Sequence, residues 1–178
     1  VSDISPLAKM TSMGKLSLEE NHISDISPLS GMTDMVNLYL HENQITDISP
    51  LAGMLDMENL WLYNNPIDDF RPIASLTKLK RLELHETNFD DPCYLAGMDD
   101  LRSLDIGGTP VTDLRCVSCL TALRTLYVYD TAVSDLTSLR YIPDFYRVYL
   151  ADNQISDISP LADNLGLGSG DTVNLEGN

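Results

Sequence analysis

The feature that most constrains how this chain folds is a six-residue segment that returns at a fixed spacing. It reads Ser-Asp-Ile-Ser-Pro-Leu where it begins at Ser2, Ser24 and Ser156, and it begins with threonine at Thr46. The first three copies lie 22 residues apart, and the last follows the third by five times that spacing. A repeat of this length is typical of solenoids, whose units bury their apolar faces by stacking on one another.

Two apolar columns follow the same spacing and predict one short strand in each unit. The first column is Leu16, Leu38, Leu60, Leu82, Leu104, Leu126 and Val148. The second is Leu18, Leu40, Leu62, Leu84, Ile106, Val128 and Leu150. Alternate residues of a strand point to opposite faces, so both columns face the core and the residue between them faces outward. The last unit is three residues longer and returns to phase at Val173, which gives eight predicted strands.

A polar column lies where the chain leaves each strand. It consists of Asn21, Asn43, Asn65, Thr87, Thr109, Thr131, Asn153 and Asn178. A buried asparagine side chain can pair with backbone groups of its own turn and of the neighbouring turn, so we expect this column to form a structural ladder. A threonine hydroxyl carries one donor where an amide carries two, so the ladder should be more weakly braced from Thr87 to Thr131.

The Ser-Pro pair predicts a short helical turn on the far side of each unit. Ser27 is expected at the N-cap and Pro28 at the first helical position. Leu29, Met32 and Met35, with their equivalents, are expected to face the core from that side. The turn that contains Pro92 should be irregular, because proline replaces the isoleucine found at this position in other units.

A column of aspartates precedes these turns. It consists of Asp3, Asp25, Asp47, Asp69, Asp91, Asp113, Asp135 and Asp157. We expect the carboxylates to accept backbone N–H groups at the entry to each turn. Calcium is the alternative for such a column, but it needs six to eight converging oxygens. The doubled pairs Asp68–Asp69 and Asp90–Asp91 would be the places to look for it.

These columns together resemble the leucine-rich-repeat family over the whole chain. The unit Ile-x-Asp-Ile-Ser-Pro-Leu is most similar to bacterial internalin-like surface proteins, and nuclear regulators of protein phosphatase 1 share the repeat length. The resemblance implies an α/β solenoid, a right-handed superhelix of about eight repeats with a parallel sheet on the concave face and short helical or 3-10 turns on the convex face. It also implies a non-enzymatic protein-binding module that is secreted or displayed at the cell surface.

The domain organisation follows from the continuity of the repeat. Residues 1–178 are expected to form a single leucine-rich-repeat domain, because no column loses its phase before the longer last unit. Val1 and Asn178 both fall inside a repeat. Solenoids need polar caps at their ends, so we expect this segment to have been excised from a longer array.

The outward strand positions carry six of the nine Tyr and Trp residues of the chain. Such residues are enriched at interaction hot spots, although aromatic residues also favour strands for packing reasons alone. The expected partner-binding residues on the concave face are Tyr39, His41, Trp61, Tyr63, Glu83, His85, Asp105, Tyr127, Tyr129 and Tyr149. We expect one patch from Tyr39 to His85 and a second at the last three tyrosines. An open acidic dip at Glu83, Asp105 and Gly107–Gly108 should separate the two patches.

The charge of the chain narrows the class of partner. It has 11 basic and 27 acidic residues and a formal net charge of −16. Such a surface repels nucleic acid phosphates and anionic lipid headgroups, and it favours a protein with a basic or neutral surface. No apolar run reaches the 18 residues that would suggest a membrane span, so membrane insertion is not expected.

Catalytic and metal chemistry find little support in the sequence. No nucleophile triad, phosphate loop or nucleotide fingerprint is present, so neither an enzyme nor a cofactor is expected. His41 and His85 share a column two strands apart, about 10 Å, which ligand bonds near 2 Å cannot bridge. Cys116 and Cys119 have the Cys-x-x-Cys spacing of a redox motif. They lie on a predicted convex turn, however, and not in a thioredoxin-like unit. Cys93 and Cys116 are nearly one repeat apart, so a bridge between coils and free thiols are both open.

Two other functions compete with protein binding. The aromatic strip could stack on the sugar rings of a carbohydrate or cell-wall glycan. Alternatively, the array could be a rigid spacer in a larger surface protein. The sequence leaves the oligomeric state and the identity of the partner open.

Overall fold

A computed structural model describes all residues from 1 to 178 and contains one sheet of eight parallel strands. The strands are β1 (Lys15–Ser17), β2 (Asn37–Tyr39), β3 (Asn59–Trp61), β4 (Arg81–Glu83), β5 (Ser103–Asp105), β6 (Thr125–Tyr127), β7 (Arg147–Tyr149) and β8 (Thr172–Asn174). They pair in chain order, and each residue lies beside its equivalent in the next unit. The register shifts from 22 to 25 residues only between β7 and β8, as the longer last unit requires. The predicted α/β solenoid of eight units is therefore confirmed.

Short helical turns lie on the other side of every coil. Seven are 3-10 segments, at Ser5–Lys9, Ser27–Leu29, Ser49–Leu51, Arg71–Ser75, Pro92–Leu95, Arg115–Cys119 and Thr137–Tyr141, and the eighth is the α-helical turn α1 (Ser159–Ala162). The expected cap was wrong by one residue. Ile26 is the N-cap, and Ser27 and Pro28 are the first two residues of the turn. An isoleucine fits this position because its side chain is anchored in the core, while the capping group comes from Asp25.

The carboxylate of every aspartate in the column accepts a backbone N–H two residues further on. The eight acceptors are Asp3, Asp25, Asp47, Asp69, Asp91, Asp113, Asp135 and Asp157, at 2.8–3.0 Å. At Asp69, the side chain of Arg71 and then its backbone N–H donate to the carboxylate, and these bonds lower the pKa of Asp69 to about 2. The column is thus the turn-closing device that the sequence predicts.

The turn that contains Pro92 differs from the others, as expected. Its N-cap is Asp91 in an extended conformation, and the Asp91 side chain accepts from the Cys93 N–H at 2.9 Å. Proline is favoured at the first helical position, where its missing N–H needs no partner, so the turn begins one residue earlier than in the Ile-Ser-Pro units. Pro92 is buried where those units place isoleucine.

A single core of 45 buried apolar residues runs through the stack. Leu29, Met32 and Met35 are fully buried and face it from the helical side, as predicted. Leu38 and Leu40 face it from the strand side. Each buried aliphatic side chain contributes about 1.5–3 kcal/mol, so the stack depends on contact between neighbouring coils rather than on any one unit.

The asparagine ladder joins each coil to the one before it. The Nδ2 of Asn43 donates to the carbonyl oxygens of Leu40 at 3.0 Å and of Leu18, one coil back, at 2.9 Å. Its Oδ1 accepts from the N–H of Ile23, also one coil back, at 2.9 Å. The same pattern recurs at Asn65, Asn153 and Asn178.

The threonines break this coil-to-coil pattern. Thr87 donates to the carbonyl of Leu84 at 2.5 Å and Thr109 to that of Ile106 at 2.6 Å, both within their own coil. Thr131 donates instead to the Oδ1 of Asn153 on the next coil. The three junctions between the coils of Asn65, Thr87, Thr109 and Thr131 therefore have no ladder side chain that bridges two coils, which is the weaker bracing that the sequence predicts.

A disulfide crosses this stretch on the convex side. Cys93 and Cys116 are bonded, with their Cα atoms 5.0 Å apart, while Cys119 is free and exposed. The two bonded cysteines belong to the same coils as Thr87 and Thr109. The covalent link therefore lies at one of the three junctions that lack an asparagine bridge.

The sequence did not reveal one further column of equivalent residues. The residue before each ladder position has a positive φ, at Glu20, Glu42, Asn64, Glu86, Gly108, Asp130, Asp152 and Gly177. The chain turns sharply there as it leaves the strand, and only glycine enters the left-handed region without a steric cost. A requirement for a positive φ does not produce a periodic pattern of hydrophobic residues. In the sequence, the glutamates at these positions therefore resemble ordinary surface residues.

Substitution of Asn43 by leucine should destabilise the fold. It leaves the backbone groups of Ile23, Leu18 and Leu40 without their partner, at about 1–3 kcal/mol for each buried group. We expect a total loss of about 3 kcal/mol or more in a urea titration. Thr87→Val, which removes one bond within a coil, should cost clearly less. Equal losses for the two variants would contradict the cross-coil role.

Replacing Glu42 with glycine should stabilise the protein. The left-handed conformation of Glu42, with φ of 55°, is relieved, and part of that gain is offset by the greater freedom of glycine in the unfolded chain. We expect a net gain of about 0.5–1 kcal/mol by chemical denaturation. Gln44→Gly in the same coil, where φ is not positive, is the matched control and should destabilise the protein.

Reduction of the Cys93–Cys116 bond should loosen the middle of the stack first. A loop of this size is worth about 3 kcal/mol, and the adjoining coils lack asparagine bridges. Amide hydrogen exchange should accelerate more between Thr87 and Thr131 than between Asn21 and Asn65. Cys119→Ser should leave the exchange pattern of the oxidised protein unchanged. Uniform acceleration along the chain on reduction would show that the bond does not act locally.

Candidate protein-binding face

Five rings on β2–β4 and the residues that follow form one aromatic cluster. Tyr39 and Trp61 are tilted against each other with ring centroids 4.6 Å apart. Tyr63 is stacked between His41 and His85, with centroid distances of 4.3 and 4.0 Å. The parallel register of the sheet produces this cluster, because side chains 22 residues apart become neighbours. We call these five residues the aromatic cluster.

The aromatic cluster is not uniformly exposed. His41 is only 6% exposed, beneath the rings of Trp61 and Tyr63, so it supports the face rather than presenting itself to a partner. Tyr39, Trp61 and Tyr63 are half-buried and offer the accessible ring surface.

Several polar atoms in the aromatic cluster have no hydrogen-bond partner. They are the Nε1 of Trp61 and the Nδ1 atoms of His41 and His85, all of them buried. The His85 Nδ1 lies 3.4 Å from a carboxylate oxygen of Asp105 without forming a hydrogen bond. An unpaired buried polar group costs free energy, so the cluster holds hydrogen-bonding capacity that the chain itself does not use.

Two cations frame the aromatic cluster. The Lys15 Nζ lies 5.5 Å from the centroid of the Tyr39 ring, and the Arg81 guanidinium lies 5.3 Å from that of Trp61. Arg81 also forms an ion pair with Glu83 at 2.7 Å. Their strand positions are evident in the sequence, but their contact with the rings depends on side-chain direction.

The middle of the face differs from the expected open dip. Glu83 and Asp105 are half-buried, with side chains 13% and 16% exposed. Gly107 is buried, because the Tyr129 ring lies over it and a Cβ at Gly107 would be 2.3 Å from that ring. The expectation of an open dip was wrong, because the missing side chain of Gly107 allows Tyr129 to fill the space.

The second expected patch is consequently smaller. Tyr127 and Tyr149 are stacked, with centroids 4.7 Å apart and planes only 9° from parallel. Tyr129 lies with the acidic middle of the face instead of with this pair. Its burial raises the pKa of its hydroxyl to about 12, and Asp105 and Glu86 add to the shift.

The side chains of this face that could bind a metal ion do not converge. Tyr63 separates His41 from His85, so the two imidazoles cannot share a ligand. No group of three or more His, Cys, Asp or Glu side chains is arranged to hold a metal ion. No helix of the structure is long and apolar enough to cross a bilayer.

Comparisons with known proteins give a consistent picture. The family model described as Leucine Rich repeats (2 copies) matches residues 11–53. An internalin from Listeria monocytogenes superimposes with a TM-score of 0.94 at 36% identity, over 99% of this chain and 52% of its own. Internalin C2 from the same organism gives 0.74 at 28% identity, over 97% and 92% of the two chains.

A more distant structure shares the fold alone. A leucine-rich-repeat protein from Leptospira interrogans has a TM-score of 0.84 at 16% identity, over 96% of this chain and 45% of its own. A search of curated protein sequences gave no match.

The chain spans about half the length of the first internalin. The eight parallel strands, the 22-residue unit and these structural matches lead to one conclusion. The chain contains leucine-rich repeats, folds as a leucine-rich-repeat solenoid and is similar to the internalins.

Proposed function

We propose that this domain is a non-enzymatic module that binds another protein on its concave face. The observation that carries the proposal is the aromatic cluster: Tyr39, Trp61 and Tyr63 present half-buried rings on a rigid parallel sheet. Rings held by their neighbours lose little conformational freedom on binding, which is why such residues dominate interaction energies.

The charge around the aromatic cluster supports a partner with a neutral or basic surface. Glu83 and Asp105 form its acidic side, and the pKa of Tyr63 is raised by burial with a further contribution from Glu42. An acidic rim attracts a neutral or basic protein surface. The Trp61 N–H is buried and has no acceptor within the protein. A partner that reorients the indole ring on binding would supply one.

The role of the remaining face residues follows from their position. His41 and His85 hold Tyr63 in place from both sides. The stacked pair Tyr127 and Tyr149 is a secondary contact region on β6 and β7, three and four strands from Trp61. Tyr129 fixes the shape of the surface between this pair and the aromatic cluster. The energetic centre of the interface is therefore assigned to the half of the face near Trp61.

We also propose that the protein acts in an oxidising compartment, secreted or at the cell surface. The Cys93–Cys116 bond supports this location, because disulfides persist outside the cytosol and are rare within it. The likeness to internalins supports it as well.

Trp61→Ala tests the binding proposal. We expect partner binding to weaken by about 2 kcal/mol or more, roughly 30-fold, with a small change in melting temperature, because the indole is half-buried. Binding is measured by surface plasmon resonance against partners selected from an array of extracellular protein domains.

Tyr141→Ala is the matched control, since this tyrosine is 69% exposed on the helical side. It should leave binding unchanged. If Trp61→Ala unfolds the domain, the indole is structural; if it folds and binds as tightly as the parent, the concave face near Trp61 is not the interface. Selection of glycans and no proteins on parallel arrays would favour a carbohydrate-binding function, and silence on both a rigid spacer.

A further inference from the structure

Three arginines remain without a carboxylate partner in a chain that has an excess of acids. Six of the 11 basic residues form ion pairs, at Arg71, Lys78, Lys80, Arg81, Arg115 and Arg140. Of the five others, Lys9 and Lys15 lie at the first coil. The remaining three, Arg102, Arg124 and Arg147, lie together where β5, β6 and β7 begin.

The backbone fixes these arginines side by side. The N–H groups of Arg124 and Arg147 donate to the carbonyls of Arg102 and Arg124, at 2.9 and 3.0 Å. Arg102 and Arg124 occupy the same position on adjacent coils, about 4.8 Å apart along the sheet. Like charges side by side repel each other, and neither guanidinium donates a hydrogen bond within the protein. Their donors are therefore free for a ligand.

A groove of about 590 Å³ lies against this pair. Besides the two arginines, its wall carries the hydroxyls of Ser103 and Thr125 and the 48% exposed ring of Tyr146. Arg147 lies over the Tyr146 ring, 4.9 Å from its centroid. The volume falls in the range of small-ligand sites, about 300–1,000 Å³.

Two aspartates, Asp144 and Asp171, also line the groove, and their negative charges limit the kind of ligand that it can bind. Asp171 already accepts from the N–H of Gly168, whereas Asp144 accepts no hydrogen bond within the protein. Two arginines and two aspartates leave the groove without net charge, so a polyanion gains little there. A ligand with one carboxylate beside several hydroxyl groups satisfies both kinds of residue.

We propose that this groove binds an acidic sugar, with Arg102 and Arg124 on its carboxylate and Asp144 on its hydroxyls. Arginine pairs recognise carboxylates through parallel charge-assisted hydrogen bonds. Tyr146 contributes an apolar ring surface to the sugar. The site lies at the edge where the strands begin, apart from the aromatic cluster, and it is independent of the protein-binding function proposed above.

The test is calorimetric titration of the oxidised protein with three probes of equal length. They are a hexasaccharide that alternates glucuronate and N-acetylglucosamine, a neutral hexamer of N-acetylglucosamine, and a hexapeptide of glutamate. The acidic sugar should bind at least tenfold more tightly than the other two. Arg102→Gln and Arg124→Gln should each weaken it tenfold or more, while Arg115→Gln on the convex side should not.

Asp144→Ala separates a sugar from a simple anion. Loss of a hydroxyl acceptor should weaken sugar binding several-fold, whereas removal of a negative charge would strengthen the binding of any polyanion. The proposal is overturned if Asp144→Ala strengthens binding, if the peptide or the neutral sugar binds as well as the acidic one, or if none of the probes binds. Trp61→Ala should leave the sugar affinity unchanged, so the two proposals fail separately.

Discussion

The interaction on which the rest of the structure depends is the hydrogen bonding of one coil to the next through a buried side-chain amide. A 22-residue coil contains only three residues of strand, so most of its backbone groups have no partner in the sheet. Asn43 and its equivalents supply donors to two carbonyls in successive coils and an acceptor for an N–H one coil back. The amide offers two donor hydrogens and an acceptor oxygen, whereas a hydroxyl has only one donor hydrogen and an apolar side chain has neither function.

Where the amide is absent, other forces hold the coils together. The coils of Thr87 and Thr109 lack the bridging bonds and carry instead the Cys93–Cys116 link on the opposite side. The same coils contribute Glu83, Asp105 and the glycine beneath Tyr129 to the strand face. The least regular part of the ladder thus coincides with the acidic middle of the concave surface, and a covalent bond secures both.

The two proposed surfaces use the same register for different chemistry. Side chains 22 residues apart become neighbours, so tyrosine, tryptophan and histidine accumulate beside β2–β4 and unpaired arginines accumulate where β5–β7 begin. An excess of 16 negative charges leaves most cations paired, which makes the three free arginines an exception. The rings are assigned to a protein partner and the arginines to a small acidic ligand.

The sequence by itself determined the repeat, the eight strands, the register, the turn-closing aspartates and the ladder, because each depends on residue type at a fixed period. It also determined which side chains share the strand face, since alternation along a strand decides that. Only the tertiary structure decided which of them are accessible. His41 is covered by two rings, and the ring of Tyr129 lies over Gly107. The distance between two coils decided that Cys93 and Cys116 form a disulfide instead of remaining free thiols. Burial, side-chain direction and coil spacing arise from contacts between repeat units. The sequence of a single unit therefore contains no periodic pattern that would reveal them.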